Sequence, residues 1–185
     1  MGQYLAMGLA HEIIISLDEL KSNKISKKEL RQGIEESLLI DLKLYDETET
    51  KKYRKFTLKN QVLETDLIPF LEVLYPKVYE GNSEHYHNLL EKLRSTSSTT
   101  WVDLAREKSS VAFQFDDFAE SYDIEFAKPF NPTICLNFNY LVLYYGYGKI
   151  VTEGIYDFLS FFNHCIHETF KEHPIVKSIQ VYITG

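Results

Sequence analysis

The run ICLNFNYLVLYYGYG, from Ile134 to Gly148, limits the possible folds more than any other stretch of the chain. Apolar and aromatic residues dominate it, and it follows the break between Pro129 and Pro132, so it reads as the longest strand. Alternation places Leu136, Phe138, Tyr140 and Val142 on one face. Asn137, Asn139, Leu141 and Leu143 fall on the other, followed by Tyr144, Tyr145 and Tyr147. Two arrangements suit this pattern. Helices can cover the first face, leaving the asparagines and a terminal tyrosine to meet a groove or a partner. Alternatively, the strand is central and buried on both faces, with hydrogen-bonded asparagines.

The other elements follow from local signals. YLAMGLAHEIII, residues 4 to 15, reads as a strand with Gly8 at a bulge or a close backbone approach. Ser16 before Glu19 and Ser26 before Glu29 form capping boxes, and Ile25 with Leu30 makes a staple, so a helix starts at each site. The second helix continues through Leu30, Ile34 and Leu38. Ile40, Leu42 and Leu44 then alternate with Asp41, Lys43 and Tyr45, which predicts a half-buried strand; DETETKK is a turn into a second strand, YRKFTL. VLETDLIPFLEVLY has helical spacing, with Pro69 near the helix start or at a kink. A further helix capped near Ser83 uses Tyr86, Leu89, Leu90 and Leu93, and Thr100 with Asp103 marks a brief one.

VAFQF and YDIEF read as two strands around the turn DDFAES, a helix spans residues 153 to 172, and IVKSIQVYI closes the chain as a strand. Strands at both ends with helices between them predict an α+β fold over residues 1 to 185 as a single domain. Its sheet is mixed, mostly antiparallel, with helices packed on one face. A chain of this length buries roughly 70% of the surface its unfolded form exposes.

Five places carry residue types that suit chemistry. Around FFNHCIHETFKEH, residues 161 to 173, helical rotation sets Ile155, Phe158, Leu159, Phe162, Cys165, Ile166, Thr169 and Phe170 on the packing stripe. His164 points nearly opposite and His167 flanks it, so the imidazoles and the thiol do not converge on one ion. His85 and His87 flank an apolar stripe and diverge in the same way. Cys135 reads as a small buried hydrophobe with no histidine placed beside it. Metal-dependent nucleases set Asp or Glu two residues before Lys on a strand. Glu125 and Lys128 are three apart, and Asp41 and Lys43 have the right spacing but follow a helix bearing Glu35 and Glu36, not an acidic strand. GYGK at 146 to 149 lacks the remainder of a phosphate loop, and Glu153 brings negative charge to the helix start that follows. These readings assign no catalytic residue, no metal ligand and no cofactor.

Composition narrows the partners. Twenty basic and twenty-seven acidic residues give a net charge of −7, which repels phosphate backbones and acidic membranes and favours a basic protein. No run is long enough to span a membrane, and the N-terminal segment lacks a secretory pattern. Cys135 and Cys165 belong to no disulfide framework, so the chain is expected in the reducing cytoplasm. Aromatic residues make up 14% of the chain, with 13 tyrosines, more than a core absorbs, so some are available for contact.

The expected function is that of a non-catalytic cytoplasmic protein-binding module, suited to immunity-type neutralisation of a basic partner. Its contact residues are Asp116, Asp117, Glu120, Asp123, Glu125, Asn137, Asn139, Tyr144, Tyr145 and Tyr147. Neither nucleic acid nor membrane is expected as a partner; a homodimer through the exposed strand face is a further arrangement. The alternative is a metal-dependent hydrolase or nuclease whose catalytic residues are dispersed along the chain.

Overall fold

The computed structural model describes residues 4–78, 83–97, 114–127, 131–145 and 178–184, together with positions 103, 159, 160, 163, 164, 168 and 175. Strand β1 (Tyr4–Ser16) leads into helices α1 (Leu17–Ser22) and α2 (Lys27–Leu38), and then into strands β2 (Tyr45–Glu49) and β3 (Tyr53–Leu58). Helix α3 (Asn60–Val62) passes through a π turn (Leu63–Leu67) into α4 (Ile68–Val78), and α5 (Ser83–Arg94) follows. Strands β4 (Gln114–Glu125), β5 (Thr133–Tyr145) and β6 (Ile179–Thr184) complete an α+β architecture.

The sheet runs β2-β3-β1-β5-β4, and β6 also pairs with β1. Every one of these pairings is antiparallel. β5 takes one edge of β1 from Ala6 to Ile15, so β6 and β3 must share the opposite edge: β6 along Tyr4–Leu9 and β3 along Glu12–Ser16. β1 is therefore flanked on both edges over Ala6–Leu9 and again over Glu12–Ile15. Its ladder with β5 slips twice. His11 is the extra residue between Ala10, opposite Tyr140, and Glu12, opposite Asn139. At the slip beside Met7, the expected close approach of Gly8 is present. A Cβ there would stand 2.9 Å from the Leu141 carbonyl oxygen and 3.2 Å from the Tyr182 ring. Over this point Tyr140 and Tyr182 stack with ring centroids 4.0 Å apart, and the Tyr140 hydroxyl donates to Gln180 at 2.7 Å.

Period-two alternation sorts the side chains. Phe56, Ile13, Phe138, Ile15, Leu136, Ile134 and Ile124 are buried on one face. Helix α2 lies on this face. Its Leu30 and Ile34 are fully buried, a Cβ at Gly33 would reach the Phe126 ring at 2.8 Å, and the Arg31 guanidinium sits 5.8 Å from the centre of the Phe56 ring. Glu47 of β2 ties the helix down. It meets Lys27 and Arg31 of α2, each at 2.9 Å, and Arg54 of β3 at 3.5 Å. Burial works to raise the Glu47 pKa, but these cations outweigh it and hold the carboxyl below the usual range. Tyr45 is buried at the start of β2, and its hydroxyl donates to the Ala10 carbonyl at 2.9 Å, beside the bulge. Burial pushes its pKa upward.

Both serines cap their helices, but only Ser26 with Glu29 forms the expected reciprocal box; at α1 Ser16 accepts the Glu19 amide while the Glu19 carboxylate accepts from the Cys135 amide instead. After the π turn Pro69 falls in the first turn of α4, where the locally widened helix accommodates its missing N–H. Arg94 of α5 pairs with Glu72 of α4.

Two strand expectations need correction. Residues 42–44 form a 3-10 turn with Asp41 as its cap, accepting from the Lys43 amide at 2.9 Å, and the strand begins only at Tyr45. The acidic part of DETETKK is thus strand, and the reversal falls after Thr50. DDFAES is not a hairpin turn. β4 runs through it, pairing Asp116 with Tyr140 and Glu120 with Phe138, so Asp117, Phe118 and Ala119 bulge opposite Asn139 alone. The expected 153–172 helix lies mostly outside the described residues, and Leu159, placed on its packing stripe, is 40% exposed.

Candidate functional site

Register brings Asp123, Glu125 and Asn137 onto the face opposite α2. On β4, Asp123 stands opposite Cys135 of β5, and Glu125 opposite Thr133. Both acids are exposed, because they alternate with buried Ile124 and Phe126. Asn137 shares this face; it pairs with Ile14 on one side and Ser121 on the other, and is partly buried.

β1 ends at Ser16, before β5 begins, and α1 side chains continue the ladder that the strand leaves unfinished. Glu19 accepts the Cys135 amide at 3.0 Å, and Asn23 donates to the Thr133 carbonyl at 3.1 Å. The Glu19 carboxylate is thereby held beside the acids of β4. The field there is negative: the partly buried Cys135 thiol has its pKa raised by burial, and then by the charges of Asp123 and Glu19. Such a thiol stays protonated and is a poor nucleophile.

Asn139 belongs to the interior. It is 5% exposed and donates to Glu12 at 2.7 Å, while Lys55 donates to the other Glu12 oxygen at 2.7 Å. Of the two arrangements compatible with the strand pattern, burial on both faces therefore holds from Phe138 to Leu143. Burial would raise the Glu12 pKa, but the Lys55 and Asn139 hydrogen bonds and the Lys55 charge prevail, so its carboxyl titrates below the usual range. An ionised carboxylate with both oxygens accepting hydrogen bonds links β1, β3 and β5. It has no free proton to give at neutral pH. Sequence reasoning missed Glu12 and Lys55. The available signal was a lone acid within the apolar run YLAMGLAHEIII, since a charge on a buried strand requires a partner.

Asp116, Asp117 and Glu120 occupy or border the β4 bulge; their side chains lie outside the described set, as do those of Tyr144 and Tyr145 at the end of β5. Tyr147 falls outside the described residues altogether. His164 contacts Glu168 at 3.1 Å with both side chains about two-thirds exposed, at 67% and 68%. Cys165 and His167 are outside the described residues. Among the described residues, no three His, Cys, Asp or Glu side chains are grouped to hold a metal ion, and no helix is long and apolar enough to cross a membrane. Compared with protein family models, curated proteins and solved structures, the chain matches none.

Proposed function

We propose that this chain is a non-catalytic protein-binding module that engages a basic protein, in the manner of an immunity-type inhibitor acting in the cytoplasm. The observation that supports this reading is the exposure of Asp123 and Glu125 on β4 beside the fixed carboxylate of Glu19. Three carboxylates held by regular backbone present a pre-ordered negative edge. Ordering such groups in advance lowers the entropic cost of binding and steers a cationic partner toward them. The net charge of −7 adds a long-range attraction of the same sign.

Immobilised protein is expected to retain a basic polypeptide from lysate of the producing cells at about 0.1 M salt. It should release that polypeptide at about 1 M, where the screening length falls to about 3 Å. Reversing both acids with D123K/E125K should abolish the retention. Equal retention by the variant, or no salt-sensitive retention by the wild type, refutes the proposal.

A further inference from the structure

The antiparallel registers align Thr48, Lys55, Ile14, Asn137 and Ser121 in a row across all five strands of the main sheet path. Ile14 and Asn137 lie on β1 and β5, interior strands flanked on both sides, and the adjacent Ile13 and Phe138 on the α2 face are buried. Ile14 and Asn137 nevertheless stay partly exposed, so solvent reaches the middle of the sheet from this side. An aliphatic side chain left open on a central strand is a candidate contact position, since burial is its usual fate.

Charge gives the patch a direction. The Lys55 ammonium is engaged by buried Glu12, whereas Asp123 and Glu125 are exposed at the β4 side. On the opposite side, Tyr53 is 48% exposed and follows exposed Lys51 and Lys52 in the β2–β3 turn, while exposed Asp46 of β2 shares the face, so acid and base offset each other there. A cationic partner therefore settles over β4 and β5 and not over β3. Four strand spacings give a width of about 19 Å. That is less than the breadth of a standard interface burying about 800 Å² per partner, so the patch suits a single segment.

We infer that this open sheet face is where a Lys- or Arg-rich segment of the partner docks, lying over Ile14 and Asn137 with its cations on Asp123 and Glu125. The assignment rests on the basic-partner reading given above and adds its location. It can be tested with the full-length ¹⁵N-labelled protein and a deca-lysine peptide at low salt. Amide shifts should be largest at Ser121, Asp123, Cys135 and Asn137. Ser121 is exposed, so S121R should keep the native spectrum while weakening the peptide by about tenfold. E84K/E91K, which reverses exposed charges on α5, should weaken the peptide less than S121R does, through the net charge alone. Shifts centred elsewhere, or unchanged binding by S121R, would overturn the assignment. If D123K/E125K loses the lysate partner while S121R keeps it, the location is wrong and the basic-partner reading stands. If deca-lysine moves no amide and the lysate column retains nothing, both fall.

Discussion

Glu12 carries a charge on a strand that is apolar on either side of it, and its stability depends on who answers that charge. Lys55 does so from β3, with Asn139 assisting from β5. Removing Lys55 alone leaves a 6% exposed carboxylate with its countercharge gone. Lys55→Met is therefore expected to cost about 2–3 kcal/mol in urea unfolding, less than breaking a fully buried pair because the Lys55 side chain is 37% exposed. The double variant E12Q/K55M should recover most of that loss, since no lone charge remains. A double variant as unstable as the single one would show that packing by the Lys55 stem dominates. Leu39 presents the opposite situation. It ends α2 with φ of 54°, in the left-handed region that favours glycine, and is 78% exposed. Leu39→Gly should raise stability by about 1 kcal/mol, read as a higher urea midpoint with an unchanged slope.

At the scale of elements, the link between α1 and β5 does what a longer β1 would have done. Glu19 and Asn23 answer one amide and one carbonyl of β5 beyond the end of its neighbour strand. Each such hydrogen bond contributes about 1 kcal/mol net. E19A/N23A is accordingly expected to lower stability by about 2 kcal/mol and to speed exchange of the Cys135 amide, while the Phe138 and Tyr140 amides keep their protection. Uniform acceleration across β5 would mean that the link supports the whole sheet and not its end. Elements set by neighbouring residues were legible in the sequence: the caps at Ser16 and Ser26 and the alternation of β5 depend only on local chemistry. Elements set by distant partners were not. Ile40, Leu42 and Leu44 show a strand period, but Asp41 caps a turn there, and the continuity of β4 through DDFAES comes from pairing with β5. The same division holds for the site. Asp123 and Glu125 were legible as contact residues by their charge, and their common face follows from local alternation with Ile124, whereas the fate of Asn139 depended on Glu12, 127 residues away.

Across the whole molecule, two carboxylates tie separate elements together, and both titrate below their ordinary range. Glu12 joins the three central strands, and Glu47 fastens α2 to β2 and β3. A carboxyl whose pKa is lower in the folded chain binds its proton more readily when unfolded, so the stability it contributes is complete above its unfolded value, near 4.5. That contribution declines as pH falls from there through the lower folded value. The unfolding free energy should thus be level near neutrality and drop below about pH 4.5. Because Lys55 and Asn139 answer Glu12 while Lys27, Arg31 and Arg54 answer Glu47, the two contributions should add, each of E12Q and E47Q removing part of the acid slope and E12Q/E47Q removing the sum. Urea unfolding at a series of pH values reads this directly. A double variant that keeps the wild-type acid slope would place the acid sensitivity in other carboxyls.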